Sequence, residues 1–261
     1  MPEDSVPGGV DSEAEIPESH PRYADLVSRY RIEEGIEKGL THVQGLHAEG
    51  RGSAFDYLLG EETIPSADRA ARAAAAALCN AEHPVISVNG NVAALVPSET
   101  VEVAESVGAA IEVNLFHRTD ERIDRIIDHL ESHGATDVLG RTAEATIPGL
   151  SHDRARVSEA GIATADVVVV PLEDGDRAEA LTELGKTEIV IDLNPLSRSA
   201  QSASIPIVDN ILRAMPRITD HATELRTMPA DERADIVADF DPTEALEAAE
   251  RRIRSGDLAG P

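Results

Sequence analysis

Tryptophan is absent from this chain, and phenylalanine and tyrosine contribute three residues each. A core must therefore be built from Ala, Val, Ile and Leu, which favours helices laid closely on a sheet. Cysteine occurs once, as Cys79, which excludes an intrachain disulfide and a cysteine-rich zinc site. Lysine occurs only as Lys38 and Lys186, and 49 acidic residues against 23 Lys and Arg give a formal charge of −26. Nucleic acid and anionic membrane are not expected partners of such a surface, because both are repelled along most of it. The same balance resembles proteins of extreme halophiles, in which dissolved salt screens the self-repulsion. It also means that an anionic ligand has to be held mostly by arginines. No apolar run approaches the length of a membrane span and the N-terminus is acidic, unlike a signal peptide, so a cytoplasmic location is expected.

Several catalytic signatures are missing as well. No GxxxxGK[ST] or GxGxxG loop follows any predicted strand, which speaks against a P-loop enzyme and a nicotinamide oxidoreductase. No GxSxG elbow supports a serine hydrolase. His129 and His133 have the one-turn spacing of a zinc pair, but no third ligand accompanies them and a solvated helix end is the better reading.

What is present is organised around Asp166 to Ser199. The β-branched run from Asp166 to Leu172 suits a strand buried on both faces of a parallel sheet. An acidic turn, a helix over Arg177 to Leu184 and a second buried strand at Ile189 to Ile191 follow. A right-handed crossover puts both polar turns, Glu173 to Arg177 and Asp192 to Ser199, at one carboxyl edge, where open α/β sheets bind ligands.

The rest of the chain fits around this unit. Residues 1–15 lack apolar periodicity and read as a disordered acidic extension. A helix is expected from an N-cap at Ser19 to about Leu40, carrying Arg29. Thr41 to Gly60 reads as irregular, with glycines flanking Arg51 so that the backbone can approach a ligand. Ser66 is expected to cap an Ala-rich helix running to Asn80. From Pro84 strands and helices alternate: Val85 to Val88, Ser98 to Val107, Ile111 to Asn114, a helix over Thr119 to His133 closed by Gly134, and Val138-Leu139. A long loop with Arg154 and Arg156 precedes the central strand. After a short strand at Ile205 to Val208, Asp209 is expected to cap a helix that Pro216 kinks or divides. The expected boundaries are a helical segment over 16–83, an α/β core over 84–230 and an acidic helical tail over 231–261.

The strand ends bring Asn89-Gly90-Asn91, Asn114 to Arg118, Glu173 to Arg177, Asp192 to Ser199 and Asp209-Asn210 to one edge. Any one polar loop is weak evidence, and together they mark a site. Asp192 suits ribose hydroxyls, although Asp192 to Asn194 is equally a turn held by its own side chains. Arg198 with Ser199, or Asn210 at a helix start, suits phosphates. Glu173, Asp174 and Asp176 are candidate Mg²⁺ ligands, set against a solvated acidic turn as the plainer reading.

In the order IPESHPRY, HAEGRGSAFDYLLGE, PVISVNGNVAALVP, EVNLFHRT, IPGLSHDRARV, ADVVVVPLEDGDR and IDLNPLSRSA, from about Ile16 to Arg226, the chain closely resembles the archaeal phosphopantothenate synthetases. The resemblance implies a Rossmann-like nucleotide-binding core over 84–230 in a homodimer. It implies an ATP-dependent carboxylate-amine ligase of coenzyme A synthesis that joins 4-phosphopantoate to beta-alanine through a phosphopantoyl adenylate. ATP contacts are implied at Arg29, Arg51, Asp192, Leu193, Asn194, Arg198, Ser199, Asn210 and Ile211. Asn89, Asn91, Arg154 and Arg156, the last usually a lysine in the family, are expected to meet the acyl substrate. A non-catalytic nucleotide-binding regulatory protein is the alternative.

Overall fold

A computed structural model describes residues 16, 17, 19, 20, 22–171 and 175–255. Its centre is a five-stranded parallel sheet of β1 (Pro84–Val88), β2 (Ala110–Val113), β5 (Val167–Pro171), β6 (Thr187–Ile191) and β7 (Ile205–Ile207). The strand order is β2-β1-β5-β6-β7, with Val85 beside Ala110, Pro84 beside Val167, Val167 beside Thr187 and Ile189 beside Ile205. The chain winds outward in one direction from β1 and in the other from β5. The crevice at the carboxyl ends of β1 and β5 is therefore the topological switch point. A short antiparallel pair, β3 (Ala145–Thr146) and β4 (Arg156–Val157), lies in the long loop before β5.

The helices are α1 (Tyr23–Glu37), α2 (Gln44–Leu59), α3 (Pro65–Asn80), α4 (Gly90–Leu95), α5 (Pro97–Val107), α6 (Asp120–Ser132), α7 (Gly175–Glu183), α8 (Arg198–Ser202), α9 (Ile211–Leu225), α10 (Ala230–Ala238) and α11 (Pro242–Ser255). Because side chains alternate along a strand, Ile86, Val88, Val167, Val169, Ile189 and Ile191 enter one core. They share it with the alanine face of α3, Ile123, Ile126, Ile127 and Leu130 of α6, and Met215, Ile218 and Leu225 of α9. Alanines along α3 let that helix lie close to α9 and the sheet. Val85, Val168 and Val170 face the other way, against Ile147, Val157, Ile162 and Leu181. β5 is buried along its whole length, as uninterrupted valines require.

The second face also carries a buried polar strip. Ser87, Glu112, Glu188 and Arg177 are nearly or wholly removed from solvent. The Arg177 guanidinium donates to Ser87 Oγ at 3.1 Å. Glu112 accepts the Ser158 and Ile162 amides at 2.9 and 2.7 Å, fixing the turn that leads into β5.

Four local expectations are corrected. Residues 44–59 form helix α2, not an irregular stretch. Helix α1 begins at Tyr23 behind Arg22, not behind Ser19, and ends at Glu37. Helix α3 starts one residue ahead of Ser66, with Pro65 at the first position, where its missing N–H costs nothing. Asn210, not Asp209, caps α9 by accepting the Leu212 amide at 3.0 Å, and Pro216 lies within an uninterrupted helix. At the other end of the chain, α11 buries Ala249 beside Leu59 and Leu193. Arg252 donates to the Leu59 carbonyl at 3.0 Å and pairs with Glu62 at 2.7 Å, so α11 braces the end of α2.

Candidate functional site

A cleft of about 600 Å³ opens along the carboxyl edge of the sheet, with α2 and the turn before it forming its outer wall. One end is lined by Arg51, Gly52 and Phe55 of α2, by Asp192, Leu193 and Asn194 after β6, and by Ser197, Arg198 and Ser199 at α8. The other end is lined by Thr41, His42 and Gly45, by Asn89 to Asn91 after β1, by Leu115, Phe116 and His117 after β2, and by Arg122 and Arg154. The cleft thus spans the switch point.

Helix α2 stays close because its glycines remove side chains where the backbone meets the site. A Cβ at Gly45 would lie 2.4 Å from Asn91 Oδ1 and 2.6 Å from Thr41 Oγ1, and one at Gly52 would lie 3.3 Å from Leu193. Gly50 has no such neighbour. Arg51 is exposed between Gly50 and Gly52 and its charge reaches Asp192.

At the β6 end both oxygens of Asp192 are engaged: Oδ1 accepts the Asn194 amide at 2.9 Å and Oδ2 the Ser197 hydroxyl at 2.5 Å. Burial raises the Asp192 pKa, with these bonds and Arg51 opposing it. Asn194 accepts the Leu196 amide at 3.0 Å, and Ser197 caps α8 by accepting the Ala200 amide at 3.0 Å. The turn is therefore held by its own side chains and presents its backbone and Leu193 to the cleft. Arg198 forks onto Glu179, with Nε and Nη2 at 3.2 and 2.9 Å. Ser199 is buried at the first turn of α8.

Asn210 and Ile211 are buried just outside the lining. Asn210 donates to Asp56 of α2 at 2.8 Å. Arg29 also lies apart from the lining, half exposed and paired with Asp25 in its own helix at 2.9 Å. Beside it Glu49 is raised in pKa, first by burial and then by Asp25 and Asp56, while Ser28 donates to it at 2.6 Å.

Asn89 and Asn91 line the cleft, but their side chains are committed to the fold. Asn89 accepts the amides of Asn91 and Val92 at 3.0 and 3.1 Å and donates to the Pro171 carbonyl at 3.1 Å, tying β1 to β5. Asn91 accepts the Thr41 hydroxyl and donates to the Gly45 carbonyl at 3.3 Å, tying the wall to the sheet. Arg154 lies in the lining and is 7% exposed, whereas Arg156 is exposed on β4 outside the lining and adds its charge beside Arg118. Asp176, in the first turn of α7, meets His152 Nε2 at 3.1 Å, and the His152 ring stacks on Phe116 at 5.1 Å. Burial acts to raise the Asp176 pKa, but the His152 contact and charge outweigh it and hold it low. Glu173 and Asp174 lie outside the described residues, and among those described no three acidic, His or Cys side chains converge as a metal cage.

Arg122 was not legible as a site residue. In the sequence it is one more charged position on an amphipathic helix capped by Thr119. The fold carries it over Gly90, where a Cβ would lie 2.5 Å from its Nη2, and into the cleft. His42, whose ring centroid lies 6.3 Å from that of His117, was missed for the same reason, whereas His117 falls inside the expected strand-end stretch from Asn114 to Arg118 and does line the cleft.

The family model described as phosphopantothenate/pantothenate synthetase matches residues 66–256. The chain is 53% identical over 240 residues to the 4-phosphopantoate--beta-alanine ligase of Thermococcus kodakarensis, covering 92% of each chain. It is 52% identical over 240 residues to the ligase of the same name from Methanosarcina mazei, covering 92% of this chain and 94% of that one. A third such ligase, from Methanospirillum hungatei, is 53% identical over 210 residues, 80% of this chain and 86% of its own.

Proposed function

The chain belongs to the phosphopantothenate/pantothenate synthetase family, and from that premise we infer that it condenses 4-phosphopantoate with beta-alanine in an ATP-dependent reaction of archaeal coenzyme A synthesis. The observation that carries this reading is the cleft itself. It crosses the switch point and has arginines at both ends of a protein that is otherwise strongly acidic.

In this reading ATP occupies the β6 end. Arg51, Asp192 to Asn194, Arg198 and Ser199 line that end and support it directly. Arg29, Asn210 and Ile211 complete the proposed ATP set from the surrounding elements, the last two as the start of α9. Asn89, Asn91, Arg154 and Arg156 form the proposed acyl-substrate side, with the two asparagines shaping the wall. The substrate carboxylate attacks the α-phosphorus of ATP. Its oxygen forms the new P–O bond, the bond to the β-phosphate oxygen breaks, and pyrophosphate leaves. The beta-alanine amine then attacks the acyl carbon of the phosphopantoyl adenylate, AMP departs with the C–O electrons, and the amine loses a proton as the amide forms.

Both steps bring anions together, so the protein contributes positioning and positive charge and no covalent nucleophile. Mg²⁺ is proposed to enter with the nucleotide, a donor set of phosphates and water with one or two carboxylates that needs no all-protein cage. Asp176 is the described carboxylate proposed as a ligand, with Glu173 and Asp174 as the further candidates from the sequence, and the ion would offset charge on the departing pyrophosphate.

No helix among the described residues is long and apolar enough to cross a membrane, and a cytoplasmic enzyme adapted to high salt is proposed. A homodimer is proposed on the exposed apolar side chains Val43, Leu46, Tyr57 and Leu58 at α2. The expected boundaries at residues 83 and 230 are kept as a proposal. Mass-spectrometric detection of 4'-phosphopantothenate in molar KCl tests the assignment. Product should require ATP, 4-phosphopantoate and beta-alanine together, whereas ATP binding without product would favour the regulatory alternative.

A further inference from the structure

The carboxyl end of helix α2 is not completed by its own sequence. Its last turn carries no basic residue, although the free carbonyls there favour a cation. The chain then leaves through two successive left-handed residues, Gly60 at φ 99° and Glu61 at φ 54°, and the second is costly for a residue with a side chain. Helix α11 supplies the missing cation from 193 positions away: Arg252 Nε donates to the Leu59 carbonyl at 3.0 Å, and its Nη2 pairs with Glu62 at 2.7 Å. Only a glycine leaves room for this, because a Cβ at Gly60 would lie 2.6 Å from Arg252 Nη2.

The same face of α11 fills the space behind the cleft. Leu246, Ala249 and Ile253 recur at helical spacing beside Arg252. Ala249 is fully buried, and the three side chains share a small core with Leu59, Phe55 and Leu193. Phe55 and Leu193 also line the β6 end of the cleft, so each has one side in that core and the other in the ligand space.

Arg252 differs in this from the other arginines of α11. Arg251 and Arg254 are exposed and pair one turn back along their own helix, with Glu247 and Glu250 at 3.3 Å. Arg252 is 22% exposed and spends its hydrogen bonds on α2 and the turn after it. The far end of the wall is held by other means, through Asn91 and the Gly45 carbonyl. Loss of Arg252 therefore acts on one end of the cleft.

Resting on the ligase reading above, with ATP at the β6 end, we propose that Arg252 is a positioning residue for the nucleotide: by closing the last turn of α2 over Gly60 it sets Phe55 and Leu193 for ATP, without touching the ligand itself. The C-terminal helix is then part of the nucleotide end and not only a cover for the core. A binding wall whose supporting contacts are lost has to be ordered at the moment of binding, and affinity falls by that cost.

The test compares wild type, Arg252→Gln, Arg252→Lys and Glu62→Gln in molar KCl, with Arg251→Gln as the control on the same helix. Arg252→Gln should raise the calorimetric Kd and the KM for ATP about 3- to 10-fold, the range of one net hydrogen bond, and leave the KM values for 4-phosphopantoate and beta-alanine unchanged. Arg252→Lys should recover part of the ATP affinity, Glu62→Gln should lose less than Arg252→Gln, and Arg251→Gln should match the wild type. Amide hydrogen exchange should quicken over residues 55–62 in Arg252→Gln and not over residues 90–95. Equal rises in all three KM values, or a lower kcat with every KM unchanged, would assign Arg252 to stability alone and overturn the proposal, as would an unchanged Kd for ATP. Should Arg252→Gln not fold, the Kd of Glu62→Gln decides, a rise supporting the proposal and wild-type affinity overturning it. A wild type that binds ATP and forms no amide would sink the ligase reading while the Kd values still decide the role of Arg252. A wild type that binds no ATP would overturn both.

Discussion

Arg213 of α9 reaches Asp56 of α2 with its Nη2 2.5 Å from Oδ1, and the same nitrogen lies 2.7 Å from Asp209 Oδ1. This joins residues 157 positions apart and pins the outer wall of the cleft to the helix that follows β7. The cation serves two buried carboxylates, and Asn210 and Thr63 satisfy further oxygens at 2.8 and 2.6 Å. Burial disfavours the charged form of Arg213, but its bonds and charges with Asp56 and Asp209 outweigh this and raise its pKa.

Arg213→Met should therefore destabilise the protein by about 3–5 kcal/mol, because it strands two buried carboxylates. For a chain of this size that is roughly 6–20 °C in melting temperature. Adding Asp56→Asn should recover part of the loss, since the two sites act as a unit. A shift of a degree or less in the single variant would remove the clamp from the account.

Arg51→Ala tests the proposed nucleotide end. The side chain is exposed, so its removal should leave the melting temperature within about 1–2 °C. Losing a charge-assisted contact to phosphate should cost roughly 1.5–3 kcal/mol, about 10- to 100-fold in kcat/KM for ATP. Unchanged steady-state kinetics would take Arg51 out of the site.

His129 provides a pH dependence. Burial first, then His133 and Lys38, depress its pKa to about 4, with Glu34 opposing. The folded state thus binds its proton less readily than the unfolded chain, whose histidine titrates near 6.5. Stability contributed by neutral His129 is present above pH 6.5 and is lost as the pH falls toward 4. Melting temperatures at pH 7.5 and 5 should fall further for the wild type than for His129→Gln. Parallel curves for the two proteins would contradict the assignment.

The parallel order of the central strands could be read from β-branched runs alternating with helical periods, and Thr119 and Gly134 marked the ends of α6. The carboxyl edge as the site followed from that topology. Helix α2 could not be read this way, because Gly45, Gly50 and Gly52 depress helix propensity, and the reason for two of them is the close approach of Asn91 and Leu193, which are remote in sequence. Asn89 and Asn91 show the opposite limit. Their place after β1 suggested ligand contacts, and their hydrogen bonds turn out to hold β1, β5 and the wall together as well. Arg122 became visible only when β1 and β2 were placed side by side.

Salt should govern stability as a whole. At 0.01 M ionic strength the Debye length is about 30 Å, so a surface of charge −26 repels itself across the molecule, whereas about 3 Å at 1 M confines the repulsion to neighbours. The melting temperature should rise steadily with KCl. A curve indifferent to salt would refute adaptation to high salt and leave the ligase reading untouched.

The central claim is that the cleft activates the carboxylate of 4-phosphopantoate as an adenylate, and isotope exchange with beta-alanine withheld tests it most directly. With enzyme, ATP, Mg²⁺ and 4-phosphopantoate in molar KCl, labelled pyrophosphate should be incorporated into ATP, because attack at the α-phosphorus is reversible while the adenylate stays bound. Exchange should disappear when 4-phosphopantoate is omitted, and adding beta-alanine should release AMP in amounts equal to the amide. Exchange of labelled inorganic phosphate into ATP, with ADP as the nucleotide product, would contradict the adenylate and place the attack at the γ-phosphorus.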